Sequence, residues 1–390
     1  MFSLLLAIIY ISFISLGLPD SLLGSAWPVM YRELNAPISY AGIISMIISG
    51  GTIISSLLSD KLTRKLGTGL VTASSVFLTA AALFGFSVSN SFLMLCIFAV
   101  PYGFGAGAVD AALNNYVSLH YSSRHMSWLH CCWGVGASVS PYIMGYAIGA
   151  GLGWRTGYSM VSVIQIILTV FLFISLPLWK KKSSVSPDSE DYEAPLGLMD
   201  ALKIKGVVPV LITFFSYCAF ESTCGLWASS YLVEYRGLDS RTAANFASLF
   251  FLGITLGRFL NGFVVDKIGD KTMIRIGAVT MLLGILFIGL PWNTSIAALI
   301  GLMIAGLGAA PVYPSIIHST PGNFGKENSH AIIGIQMACA YVGSTFMPPV
   351  FGCIAENITI SLYPLYLAFF VILMFIMSES LNKIIANKSK

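Results

Sequence analysis

The chain has 390 residues, 56% of them hydrophobic and only 10% charged, with a mean hydropathy of +0.82. A water-soluble chain carries about a quarter charged residues, so 21 basic and 17 acidic side chains cannot cover a soluble surface of this size. This excludes a cytosolic enzyme, a nucleic-acid binder and a disordered chain, and leaves a polytopic membrane protein. The net charge of +4 says little about partners until the charges are placed along the chain.

The first apolar stretch, Met1 to Gly17, has no basic n-region and no small-residue cleavage site, and it continues through Trp27 to Tyr31. It reads as a retained span, too long for the apolar core of a signal peptide. A helix crossing the bilayer needs about 20 apolar residues. Runs of that kind fall at 3–31, 38–58, 69–87, 91–119, 127–150, 156–179, 206–234, 242–264, 272–290, 294–317, 328–354 and 361–379, which makes twelve. A polar stretch interrupts them, with Lys180, Lys181 and Lys182 followed by the acidic run Asp188 to Glu193. The expected organisation is an all-α membrane protein of two six-helix bundles, 1–180 and 206–390, joined by a linker at 181–205.

The charges then set an orientation. With both termini cytoplasmic, sixteen Lys and Arg fall on the inner side, and only Arg32, Arg155, Arg236 and Arg241 on the outer side. That bias follows the positive-inside rule and places the protein in an anionic inner leaflet, a plasma membrane. Arg258 is expected near the inner end of span 8. The seven cysteines all lie in apolar stretches without metal-ligand spacing, so they read as small hydrophobes within helices.

The two halves repeat at an offset of about 200 residues. Asp20-Ser-Leu-Leu-Gly24 in span 1 returns as Glu221-Ser-Thr-Cys-Gly225 in span 7, and Asp60-Lys61 after span 2 as Asp266-Lys267 after span 8. Gly136, Pro141 and Gly145 of span 5 match Gly343, Pro348 and Gly352 of span 11, and Gly105/Gly107 of span 4 match Gly306/Gly308 of span 10. Glycines at helical intervals let helices cross closely, and a mid-span proline loosens the backbone ladder. Two such halves facing each other across a central cavity suit a molecule that rocks around a site near the midplane.

The loop Ser56-Leu-Leu-Ser-Asp60-Lys61-Leu-Thr-Arg64-Lys65 resembles the signature G-x-L-x-D-R-x-G-R-K of the major facilitator superfamily, with Ser56 and Thr63 at its glycine positions. Gly262 to Lys271 is a second copy that keeps both glycines and has Asp270 where the pattern has Arg; Gly257-Arg258 before it also fits. The resemblance implies a gating role for Asp60, Lys61, Arg64, Arg258, Asp266 and Lys267. The two aspartates would cap helices of the opposite half near Ser329 and Ser127 and hold the inner face shut. Within the superfamily the chain resembles the fucose permease branch of sugar–proton symporters. It does so through Asp20 and its apolar run, Asp110 with Asn114, His130 ahead of Gly136-Ala137, and Glu221, Gly225, Trp227 and Tyr231 in span 7. It departs from that branch in having Asp for Glu in span 4 and His for Gln in span 5.

Three acids lie deep in the spans: Asp20, Asp110 and Glu221. A charged carboxylate at the bilayer centre costs about 2.5–3.5 kcal/mol on the most lenient scale, so each demands a role. Burial favours the neutral form, which makes each a candidate proton carrier, and the alternative is a structural acid bonded to an amide or the backbone. Asn114, one turn from Asp110, offers both a donor and an acceptor to a hydroxylated solute. His130 and Gln336 are further polar candidates, and Trp133, Trp227, Tyr231 and Tyr313 could stack on a sugar face. Trp27 and Trp292 suit the headgroup zone. The function implied is proton-coupled uptake of a neutral sugar or similar polyol, with no cofactor, metal or nucleic acid. Sodium coupling and export of amphipathic compounds or lipids remain as alternatives. A membrane enzyme lacks a supporting constellation, and no ATP-binding motif is present.

Overall fold

The computed structural model describes residues 4–120, 123–180, 202–290 and 296–388, and all regular structure among them is helical. The spans, numbered in chain order, are as follows. Span 1 is Leu4–Asp20 continued by Leu22–Glu33, span 2 Tyr40–Leu66, span 3 Thr68–Ser87, span 4 Phe92–His120, span 5 Ser123–Gly149, and span 6 Gly153–Ile174 extended by Leu176–Lys180. Span 7 is Val207–Glu234, span 8 Ser240–Ile268, span 9 Asp270–Gly289, span 10 Ile296–Ala309 with Val312–Phe324, span 11 Lys326–Ile354 and span 12 Tyr363–Lys388. Ten stretches among the described residues are long and apolar enough to cross a membrane on those grounds alone. Spans 11 and 12 run together as one of the ten through the turns Ala355–Thr359 and Ile360–Leu362. Span 5 is not among them, because after its polar first turns Gly134, Gly136, Ser138, Ser140, Pro141 and Tyr142 dilute its apolar character.

Each half packs in the same way. Spans 1 and 5, 2 and 4, 3 and 4, and 3 and 6 are neighbours, and their counterparts are 7 and 11, 8 and 10, 9 and 10, and 9 and 12. Spans 3, 6, 9 and 12 turn large apolar side chains outward, among them Phe77, Ile167, Leu286 and Phe369, as a lipid-facing surface requires. The halves meet along spans 5 and 8, spans 2 and 11, and the second part of span 1 against spans 7 and 8. At these seams the backbones come close: a Cβ on Gly24 would meet the Gly225 carbonyl, one on Gly42 would meet Pro349, and one on Gly145 would meet Asn245. All three positions lie in the half of the molecule away from the termini, so the two bundles are closed on that face.

Two kinks are chemically matched to their neighbours. Pro19 has no N–H, which frees the Ser15 carbonyl one turn back, and Gln165 of span 6 donates Nε2 to it at 2.7 Å. Pro141 likewise frees the Ala137 carbonyl, and Ser21 Oγ, at the break in span 1, donates to it at 2.6 Å. The interruption that presents Asp20 is therefore held by a hydrogen bond to span 5 and one from span 6.

The repeat differs from its sequence reading in two places. Gly103 meets span 2 and Gly105 meets span 3, whereas Gly306 meets span 8 and Gly308 meets span 9. The structural partners are thus Gly103 with Gly306 and Gly105 with Gly308, two residues off the sequence pairing. In the second loop motif span 8 ends at Ile268, and Gly269 turns the chain with φ 83°. Thr63 stands at that position in the first copy. A β-branched residue resists positive φ, so span 2 runs one turn further, to Gly67 at φ 82°. The motif of the first half therefore lies within the helix rather than at its end.

Candidate functional site

The first-half acids sit between the bundles. Asp20 ends the first part of span 1 and accepts from Trp133 Nε1 at 2.7 Å, with Tyr102 of span 4 close by. Asp110 accepts from Asn114 Nδ2 at 2.9 Å, and the same amide reaches the Asp110 carbonyl at 3.0 Å. Asp110 is within electrostatic reach of Asp20 and also of Tyr313 and Tyr341 from the second half.

From the second half, Glu221 of span 7 pairs with Arg258 of span 8 at 3.4 Å, their side chains 19% and 14% exposed. The Arg258 guanidinium lies over the Trp133 ring, 5.3 Å from its centroid, and Phe251 meets the same ring edge-on at 6.3 Å. A continuous line of contacts thus crosses the molecule, from Asp20 through Trp133 and Arg258 to Glu221. Tyr217, one turn before Glu221, lies against this pair. His130 packs edge-on to Phe13 at 5.8 Å, one turn from Trp133 on the face that turns toward Arg258. Asp110, Asn114, His130, Trp133, Glu221, Arg258 and Tyr313 are all half-buried, and Asp20 is exposed. Groups so polar, at mid-span and reached by solvent, line a cavity between the bundles.

Burial separates these from the other sequence candidates. Trp227 is fully buried and donates to the Pro348 carbonyl at 2.9 Å. Tyr231 donates to the Ile288 carbonyl at 3.2 Å and stacks on Tyr235. Gln336, also fully buried, exchanges hydrogen bonds with Thr320 at 3.1–3.2 Å. Each has its polar group consumed inside the second bundle, so none of the three reaches the cavity. Trp27, expected in the headgroup zone, is buried against its neighbours with Nε1 on the Ile38 carbonyl at 2.7 Å, and Trp292 lies outside the described residues. Tyr313 is at the edge of the site, its ring against Phe214 at 5.0 Å.

Arg258, grouped by sequence with the loop motif near the inner end of span 8, stands ten residues before Ile268 and belongs to the central cluster instead. Lys61 and Lys267 are exposed near the ends of spans 2 and 8, while the side chains of Asp60, Arg64, Asp266, Ser127 and Ser329 lie outside the described residues. Tyr102 and Tyr217 were missed, since a tyrosine in an apolar span carries no signal until its neighbours are known. Arg258 did carry one: a basic residue that deep in an apolar helix needs an acid, and Glu221 was the second-half acid available.

On the face opposite the termini, Glu234 at the end of span 7 accepts from Tyr31 Oη at 2.8 Å and from Arg32 Nη2 at 2.7 Å. Arg32 Nε donates to Tyr31 Oη at 3.0 Å, which closes a three-membered link between the bundles. Glu33 anchors the same turn within the first half, accepting from Trp154 Nε1 at 2.7 Å and from Arg155.

The chain resembles proteins already described. At 26% identity over 82% of this chain and 81% of the relative, it is similar to an uncharacterized MFS-type transporter of Yersinia pestis. At 21% identity over 78% of this chain and 77% of the relative, it is similar to the glucose/mannose transporter GlcP of Bacillus subtilis. Its fold matches a crystal structure of a mutant nucleoside transporter NupG with a TM-score of 0.78, at 14% identity over 98% of this chain and all of that one. The family model described as Major Facilitator Superfamily matches residues 9–247 and 210–381. Together with the twelve-span, two-bundle architecture, these matches identify the chain as a member of the Major Facilitator Superfamily.

Proposed function

We propose that this protein is a secondary active transporter that carries a sugar-class solute across the plasma membrane by alternating access, with protons as the coupling ion. The observation that carries this reading is the central cluster. Carboxyls from both bundles stand at mid-span: Asp20 on the Trp133 ring, Asp110 on the Asn114 amide, and Glu221 on Arg258, whose guanidinium lies over the same Trp133 ring. An acid that cycles between a charged, partnered state and a neutral, desolvated one suits proton coupling. An amide and an aromatic ring suit a hydroxylated solute. The similarity to a glucose/mannose transporter and the fucose permease pattern around Asp20 and Asp110 support the same class. Export of amphipathic compounds would suit a less charged cavity.

In the cycle we infer, the contacts on the face opposite the termini open while the ends of spans 2 and 8, with Asp60, Lys61, Arg64, Asp266 and Lys267, close the cytoplasmic face. The test is solute uptake driven by a pH gradient in proteoliposomes, over a panel of labelled hexoses, with Asp20→Asn and Asp110→Asn beside the wild type. Uptake that collapses with a protonophore and in either variant, while exchange persists, is the expected result. Uptake driven by a sodium gradient alone would replace the ion. Absence of uptake for every sugar would overturn the reading.

A further inference from the structure

The Arg258–Glu221 pair is built unlike the other arginine–carboxylate pairs among the described residues. Arg275 grips Glu379 with two bonds at 2.7 and 2.8 Å, and Arg32 reaches Glu234 at 2.7 Å. Those lengths are normal for a charge-assisted bond, whereas Arg258 reaches Glu221 with a single nitrogen at 3.4 Å. The loose pair is the one at the centre of the membrane, where an unsatisfied guanidinium is most costly. The guanidinium carbon lies 5.3 Å from the Trp133 ring centroid, and of its five N–H donors Glu221 and the neighbouring Tyr217 occupy only part. The Arg258 side chain is 14% exposed, so part of it is reachable from the cavity. A guanidinium loosely paired, with N–H donors to spare and part of its surface open, matches a second carboxylate better than a hydroxyl.

Charge points the same way. Three acids, Asp20, Asp110 and Glu221, share the cluster with the one cation Arg258 among the described residues, so an anion joins a site already rich in carboxyls and is accommodated best together with a proton. We propose that Arg258 binds a carboxylate on the transported solute, which displaces Glu221 from the guanidinium, and that Glu221 then takes the proton that travels with the solute. One negative charge and one proton enter together, so the site's net charge is unchanged across the exchange. The substrate class is a sugar acid: a hydroxylated monocarboxylate with its acid group on Arg258 and its hydroxyls toward Asn114 and Asp110. This rests on the proton-coupled reading of the cluster and narrows its substrate.

The test uses the full-length protein in proteoliposomes under an inward proton gradient, with labelled glucuronate, gluconate and glucose, each against the unlabelled others. The variants are R258K, R258Q and E221Q, each checked for an unchanged elution profile and thermal midpoint. The expected result is that the two acids are preferred to glucose. R258Q should lower acid affinity about tenfold to a hundredfold, as loss of a charged hydrogen-bonding partner implies. R258K, which keeps the charge but not the fork, should fall between, and it stands in should R258Q fail to fold. E221Q should bind the acids at least as tightly as wild type and lose the dependence of uptake on the proton gradient. Proton-driven glucose uptake that neither acid inhibits and that R258K leaves unchanged would overturn the proposal and leave the transporter reading intact. Acid uptake equal in all variants would also overturn it, and no uptake of any of the three would overturn both.

Discussion

Replacing Glu234 by Gln tests how the closed face is held. In the native link the carboxylate accepts from both Tyr31 and Arg32, and Arg32 braces the phenol. Arg32 is 57% exposed and Glu234 21%, so the ion pair is solvent-screened and worth at most about 1 kcal/mol. The phenol bond to a partly buried carboxylate adds about 1 kcal/mol. Glu234→Gln keeps an acceptor for Tyr31 and removes the charge, so it should favour opening of this face by about 1 kcal/mol, roughly a fivefold change in the ratio of open to closed molecules. Tyr31→Phe should shift it by a similar amount. The combined Arg32→Gln, Glu234→Gln protein should be less open than the two single effects added together, because both remove the same ion pair. Spin labels on the loops at 34–39 and 235–239 would report the two populations as two distances. The wild-type ratio should move toward open as salt is raised, since exposed charges are screened over about 10 Å at 0.1 M. A distance distribution unchanged in all three variants would refute the idea that this contact contributes to closure.

Other consequences follow from the packing. Gly17→Ala and Gly136→Ala would drive a methyl into the Trp133 and Ile14 carbonyls of the opposing helix, and each should lower the thermal midpoint in detergent by an overpacking loss of about 1–3 kcal/mol. Gly134→Ala meets the Thr255 hydroxyl across the bundle seam, so it should shift the open–closed ratio in the spin-label measurement more than the midpoint. Gln165→Leu leaves the Ser15 carbonyl, already freed by Pro19, without its donor and should lower the midpoint by about 1–3 kcal/mol, whereas a Gln165→Glu protein that stays neutral keeps a donor. Asp239 caps span 8, and the Thr242 hydroxyl and backbone N–H hold its carboxyl below the ordinary range. Its stabilisation is therefore complete above the ordinary carboxylate value and is lost as the pH falls through the depressed one. Asp239→Ala should cost about 0.5–1 kcal/mol at neutral pH and Asp239→Asn almost nothing, read by thermal melts across pH. Trp133→Phe removes the donor to Asp20 while keeping a ring, so it should alter the pH profile of uptake more than the affinity for solute.

Much of the architecture was legible in the sequence because membrane physics acts on composition. Each span must satisfy its backbone internally and present apolar side chains to lipid, so length and hydropathy reveal spans without any knowledge of their neighbours. The cost of a mid-span carboxylate made Asp20, Asp110 and Glu221 stand out in the same way, and the offset between halves exposed the repeat. Register was less legible. Thr63 in place of a glycine lets span 2 run on to Gly67, and the glycines of span 4 pair with those of span 10 two residues away from their apparent match.

The tertiary structure alone decided which polar groups share the cavity. A span apolar on nearly every side gives no rotational phase, so sequence cannot tell a tyrosine that faces solute from one that faces a neighbouring carbonyl. Trp227, Tyr231 and Gln336 turned out to spend their hydrogen bonds inside the second bundle. Arg258 lies instead at the centre, against Trp133 of the other half. That contact joins residues 125 positions apart on helices from different bundles, and it depends on how the bundles dock. Composition sets what enters the membrane; close packing at the Gly24, Gly42 and Gly145 seams sets which side chains meet there.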